Sequence, residues 1–447
     1  MRKMFAPAGV LVAVVASVAA LATVAVNGQS PAQSAVTFTK DVAPILQRSC
    51  QSCHRPGDVA PMSLMTYDEV RPWARAIKQK ISDHQMPPWF LDPNIGIQKF
   101  KNDPSLSDAE VALISKWVDA GAPMGNMADM PKPKQFDDDA KWHIGTPDLI
   151  VTSPPHKVPA EGPDWWGQYY VPSGLTEDRY IMAVESKPGK RAVTHHLLTY
   201  AVDPNDMDTS NAADDSALAG GEFLNEYAVG KNGDVFPQDT GRLLKAGSVI
   251  KFDFHYHAVG EEQTDQSQLA FKFYPKGYVP KHVVYSRQLA GPQEPLDIPP
   301  GAAMVRSDGY TRMNLPGVLT AFQTHMHTRG VKQCLELIYP DNKTEMINCS
   351  NFDFAWHIVH VYADDVQPIY PAGTVLHVIS WHDNSPASKG NPDPRNWVGS
   401  GNRTVDEMGF AWISWYDVTQ EEYQAMFDAR KKAQQKPSST QQQGQNQ

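Results

Sequence analysis

A small all-α domain followed by two mainly antiparallel β-sandwich domains is the architecture that the sequence predicts. Three observations carry this expectation. The chain has 447 residues, more than one compact core normally accommodates. Short helical patterns with recognisable start and stop signals occupy the part before about residue 125. Beyond about residue 140 the pattern changes to short apolar segments separated by Gly, Pro, Asn and Asp. The 36 prolines and 30 glycines suit such a turn-rich region. Net charge is −10, and no basic stripe interleaved with aromatics is present, which argues against a nucleic-acid partner.

The chain begins "MRKMFAPAGVLVAVVASVAALATVAVNG". A basic end followed by a long apolar run reads as an export signal over residues 1–30. The run is long enough for an uncleaved membrane anchor to stand as the alternative. An exported, periplasmic location follows from either reading. The polar end, residues 429–447, has little to bury and reads as a disordered tail.

Residues 36–125 form the helical domain. "ILQRSCQSCHRPG" sets Cys50, Cys53 and His54 in a C-x-x-C-H pattern. Two thiols at this spacing can form thioethers to a haem, and the adjacent imidazole can become an axial iron ligand. A thiol redox pair or half of a zinc site are the competing readings of the cysteines alone. Met86, in "DHQMPPW", offers a soft second axial ligand, with His84 and Met62 as competitors. Farther on, Ser107 and Glu110 make a capping box. Val111, Ile114 and Val118 form one apolar stripe, and Gly121 with Pro123 ends the helix. Short helices around C-x-x-C-H resemble a class I cytochrome c domain carrying one covalent haem c. Two axial protein ligands leave no open iron position, so this domain is expected to move electrons. A polar, proline-containing linker spans 126–140.

The β region divides into modules at 141–290 and 291–428, with the cut placed in "AGPQEPLDIPPGAA". Cys334 and Cys349 flank two strands joined by a Pro-Asp-Asn turn. A disulfide across that turn is expected, with free thiols as the alternative.

Histidines cluster in this region. A lone histidine is more often a surface or satisfied core residue. Here His325 and His327 lie two apart in "LTAFQTHMHTRG", and such residues share one face of a strand. His195 and His196 are adjacent in "AVTHHLLTY" and need a bulge, strand end or twist to converge. His255 precedes His257 in "KFDFHYHAVG", where the later residue reads as a surface or supporting imidazole. Imidazoles alone do not choose among zinc, copper, nickel and iron. A thioether biases the choice towards copper, and Met408 follows an acidic pair in "VDEMGFAWISWY", although buried packing also explains a methionine there. His357, His360, His377 and His382 admit a third metal centre, but alternating sheet faces and turns also explain them.

In combination these segments resemble the copper type II, ascorbate-dependent monooxygenases, the family of peptidylglycine α-hydroxylating and dopamine β-monooxygenases. The resemblance covers about residues 145–428. It implies one copper held by His195, His196 and His255, and a second, oxygen-activating copper held by His325, His327 and Met408. The whole is similar to bacterial proteins that join a haem c domain to this copper module. Its implications are O2 as co-substrate, an unidentified small organic substrate and an external electron donor acting through the haem. The chain departs from the animal members in having only Cys334 and Cys349 for a disulfide in this region. A non-catalytic haem and copper carrier is the runner-up reading. A zinc hydrolase is weakened by Met408 and by the lack of an H-E-x-x-H helix.

Overall fold

The computed structural model describes residues 35–101, 103–136, 141–203, 221–228, 231, 233–401 and 403–435. Residues 1–30, read as signal or anchor, lie outside the described residues. Among the described residues no helix is long and apolar enough to cross a membrane. The architecture is a short N-terminal helical region followed by several antiparallel β-sheets, in an α+β arrangement.

The helices form where their caps and stripes require. Phe38–Val42 runs into Ala43–Ser49 and delivers the chain to Cys50. Tyr67–Val70 opens on a capping box of Thr66 with Glu69, and Asp108–Asp119 opens on one of Ser107 with Glu110. Each such cap stabilises its helix by about 1 kcal/mol. Phe38, Leu46, Ile77, Ile81, Ile114 and Trp117 are buried together as the core of this region. Trp117 Nε1 donates to the Pro123 carbonyl at 2.9 Å, which fastens the chain after the helix ends.

A ten-stranded sheet runs through the β region. His282–Leu289, in the first expected module, pairs along its length with Gly409–Asp417 of the second. A four-stranded sheet holds Trp165–Pro172, Val249–Tyr256, Thr194–Val202 and Glu222–Ala228 in that order. Another holds Val305–Arg312, Val375–His382, Gly330–Ile338 and Thr344–Asn351. Among the described residues two large apolar cores result. One joins Val184, Leu269 and Phe271 to Leu197, Ile250 and Phe254. The other joins Leu319, Phe322 and Ile413 to Leu335, Leu337 and Val378. Strand alternation turns these side chains towards their cores, and many of the residues between them are buried as well, on the other face.

Cys334 and Cys349 are directly opposite in the ladder of Gly330–Ile338 with Thr344–Asn351, and they form the expected disulfide. The segment after Met86 lies along that hairpin's outer strand. Asn351 N–H donates to Phe90 O at 2.9 Å, Asp92 N–H to Cys349 O at 2.8 Å, and Ile97 N–H to Ile347 O at 3.0 Å. The strand edge is thereby covered. Gly96 permits the close approach: its φ is +66°, and a Cβ there would lie 1.8 Å from Ile347 O.

The expected tail needs one correction. Gln420–Gln435 is a helix, so residues 429–435 are ordered, while 436–447 lie outside the described residues. Thr419 and Glu422 cap its start. Tyr423 and Met426 pack against Val318, Ile369 and Val418, and Arg430 donates to the Gln367 carbonyl. A polar helix is held by docking that its composition does not reveal.

Candidate metal centre

His195, His196 and His255 meet at the ends of two paired strands. In the ladder of Thr194–Val202 with Val249–Tyr256, Thr194 lies opposite Tyr256 and His196 opposite His255. His195 is thus the extra residue of a β-bulge. A bulge re-aims a side chain that strict alternation would send to the other face. The adjacent imidazoles therefore converge. One ligand nitrogen from each of the three histidines can be chosen so that all lie within 4.8 Å of one another, and the cluster can hold a single metal ion.

The nitrogen geometry is informative. His195 Nδ1 lies 3.2 Å from His196 Nδ1. Two metal–nitrogen bonds of about 2.0 Å at a tetrahedral angle span about 3.3 Å. Without an ion, one ring must keep a proton for the other to accept. An ion can replace that proton and engage both lone pairs.

The third imidazole is oriented from outside. His255 Nε2 lies 2.7 Å from Asp164 Oδ2, and His257 Nδ1 lies 2.8 Å from Asp164 Oδ1. A proton on His255 Nε2, donated to the carboxylate, leaves Nδ1 as the free lone pair. Trp166 stacks on the same ring with centres 4.3 Å apart. Asp164 is 91 residues from His255 and carried no signal in the sequence. Strand pairing brings it close, because Trp166 lies opposite His255 in the ladder. His257 is exposed and belongs to this supporting pair.

His325 and His327 also come together, with ring centres 5.8 Å apart. His325 stacks on Phe410, its ladder partner, at 4.3 Å. His327 lies just beyond the strand Gly317–Met326. Its Nδ1 donates to the Asp406 carbonyl at 3.0 Å, leaving Nε2 free. Its backbone N–H donates to Glu407 Oε2 at 3.0 Å, and Arg329 N–H donates to Glu407 Oε1 at 2.6 Å. Burial pushes the Glu407 carboxyl up to about 7. The ladder ends with Met326 opposite Gly409, and Met408 is the residue just before Gly409. Met408 is half-buried, and its carbonyl accepts from His382 Nε2 at 3.0 Å.

The two histidine groups are neighbours. His357 stands between them, with its ring centre 5.4 Å from His195, 5.2 Å from His196 and 6.3 Å from His325. Desolvation is the chief cause that keeps these imidazoles neutral. It pushes His195 down to about 4 and His357 down to about 3, and neighbouring imidazoles add to the effect. His196 and His325 are lowered well below the ordinary range for the same reasons. Of the other histidines noted in the sequence, His360 packs on Trp89 at 4.6 Å. His377 lies between Glu336 and Asp308.

In the helical region Cys50 and Cys53 are not joined to each other. Burial pushes the Cys50 thiol up to about 12. His54 Nδ1 lies 3.2 Å from the Met62 carbonyl, so a proton there leaves Nε2 free. A cavity of about 340 Å³ opens beside Cys53 and is walled by Trp89, Tyr227, Ile358 and Val359. Its lining includes Pro87, next to Met86, but neither Met86 nor His54. Arg191 and Asp58, paired at 3.2 Å, line it as well and tie the helical region to the chain just before His195. Ile358 is adjacent to His357, so one loop touches both the cavity and the histidine cluster.

No family model and no curated protein matches this chain. Among solved structures, it is similar to recombinant N-glycanase F (PNGase F) at 10% identity over 60% of this chain and 95% of that one, with a TM-score of 0.25. The major capsid protein P2 from bacteriophage PM2 gives 8% identity over 57% of this chain and 97% of that one, with a TM-score of 0.25. A structure of infectious bursal disease virus, Gx strain, gives 8% identity over 64% and 75%, with a TM-score of 0.19. Likeness at this level carries no argument about function.

Proposed function

We propose that this chain is a copper-dependent monooxygenase that hydroxylates a small organic substrate with O2 and receives electrons through a covalently attached haem c. The observation that carries the reading is the bulge at His195, which turns two adjacent imidazoles towards His255. Other bulges occur in this chain, one of them between Thr199 and Tyr200 of the same strand, but the one at His195 is the one that gathers three imidazoles. In this reading the two apolar cores belong to the two β-sandwich modules, and the helical region is the cytochrome c-like domain.

The residues fit copper. His195, His196 and His255 would hold one ion, and His325, His327 and Met408 the other. Two imidazoles with a thioether suit a soft, reduced copper better than zinc. When bound, copper supplies one-electron redox chemistry and engages O2 in its reduced state. The protein's share is orientation and desolvation. Asp164 fixes His255, the Asp406 carbonyl fixes His327, and the stacked Phe410 fixes His325. Burial keeps the imidazoles neutral, so their lone pairs are available at neutral pH.

The C-x-x-C-H residues are the ones a covalent haem would use. Thiols pushed up by burial make poor redox nucleophiles but remain available for thioethers. His54, oriented by the Met62 carbonyl, would supply one axial nitrogen, and Met86 the second ligand. When bound, the haem supplies single electrons.

The test is ¹⁸O2 turnover. Copper-loaded full-length protein is reduced and offered a panel of small molecules with benzylic, allylic or heteroatom-adjacent C–H bonds. Hydroxylated product carrying one ¹⁸O, and lost in Met408→Ala, is expected. O2 uptake without labelled product from any panel member leaves the electron-carrier reading in its place.

A further inference from the structure

We propose that His357 is a fourth imidazole ligand of the metal ion held by His195, His196 and His255, reaching that ion from the side that faces His325. The proposal rests on the first histidine group being a copper site, and it is independent of any oxygenase activity.

Ring spacing carries it. With metal–nitrogen bonds of about 2.0 Å, imidazoles arranged tetrahedrally around one ion have centres about 5.2 Å apart. Within the triad the centres are 5.4 Å (His195 to His196), 4.6 Å (His195 to His255) and 5.0 Å (His196 to His255). His357 stands at 5.4 Å from His195 and 5.2 Å from His196, inside that range, but it is outside the group of nitrogens within 4.8 Å of one another that the triad forms, so joining the ion requires its ring to move inward towards His255. Its distance to His325 is longer, 6.3 Å, so the first group has the stronger claim on it.

The loop presents this side chain from fixed ends. Asp353 turns the chain by accepting from Ala355 N–H at 3.0 Å and, through its carbonyl, from Trp356 N–H at 3.0 Å. Phe354 packs edge-on to His327 with centres 6.3 Å apart. On the far side His360 is seated on Trp89. Between these anchors the half-buried His357 ring faces His195, His196 and His325, and it has no hydrogen-bond partner among the described residues. The sequence placed His357 in "FAWHIVHVY", where neither spacing nor period tied it to the earlier pair.

The experiment uses the full-length chain with His325→Ala and His327→Ala, so that added Cu(II) is confined to the first group. Copper K-edge absorption and electron paramagnetic resonance count the imidazoles, and competition with a chromophoric chelator gives the affinity. Four imidazoles are expected. Adding His357→Ala should leave three and weaken Cu(II) binding by about tenfold or more, the scale at which even supporting partners act. His357→Gln should behave the same way, and circular dichroism shows whether each variant is folded. Three imidazoles before His357 is changed, or unchanged affinity and spectra afterwards, overturn the proposal. Failure of the His325→Ala/His327→Ala protein to bind Cu(II) at all overturns the copper reading of the first group as well.

Discussion

Asp164 Oδ2 lies 2.7 Å from His255 Nε2, and this contact decides which nitrogen of that imidazole faces His195 and His196. The other carboxylate oxygen engages His257, so one side chain steadies two rings. Asp164→Ala should lower copper affinity at the first group by about 10–100-fold while leaving the second group unchanged. Chelator competition on the wild type and the variant measures the difference. Asp164→Asn, which keeps an acceptor oxygen, should lose less.

Met408 immediately precedes Gly409, the last ladder partner of the strand that ends at Met326, and the adjacent Glu407 accepts from the His327 and Arg329 backbone N–H groups. The two substitutions should therefore differ. Met408→Ala should weaken Cu(I) at the second group and spare both the first group and the melting temperature. Glu407→Ala should lower the melting temperature as well, because it strands two buried donors at about 1–3 kcal/mol each. Cu(I) titration beside calorimetry separates the two effects.

Cys50 and Cys53 are expected to carry the haem through thioethers. Cys50→Ser with Cys53→Ser should abolish haem-dependent staining of the denatured chain, which non-covalent haem does not survive. The β region has its own cores and should keep its histidine sites. Copper binding by the haem-free variant, at wild-type affinity, checks the second half of this expectation.

Acid should weaken the metal-free protein in a defined window. His195 is pushed down to about 4 and His357 to about 3, in both cases chiefly by burial, from an ordinary value of 6.5. A depressed folded-state value stabilises the fold fully above the unfolded value and loses that contribution as pH falls through the folded one. Melting temperature should hold above about pH 6.5 and decline steadily towards pH 4 and below. Copper should raise it at pH 7.5, with an increment that shrinks in acid because protons compete for the same lone pairs. Thermal melts with and without a chelator across this range test both signs.

Much of the fold was legible where local chemistry decides it. The Ser107 and Glu110 capping box, the alternating strand "THHLLTYAV" and the Cys334–Cys349 hairpin each carry their own signal, and the structure has all three. Reading His195 and His196 as convergent required a bulge that no residue announces, because a bulge is set by the partner strand. Asp164 and His357 were illegible as partners for the same reason. Each meets the site through pairing or loop docking across long stretches of chain. The run of Gln420–Gln435 past residue 429 depends on Tyr423, Met426 and Arg430 finding the β-sheet, which composition cannot express.

The central claim is that two histidine groups, with Met408, take two copper ions in a chain that also holds one haem. Metal content together with copper K-edge absorption on purified, copper-replete full-length protein tests it most directly. The account predicts two coppers per haem iron, with a sulfur scatterer in the reduced state that disappears in Met408→Ala. Zinc in both groups, a single copper per chain, or reduced copper with no sulfur neighbour would contradict it.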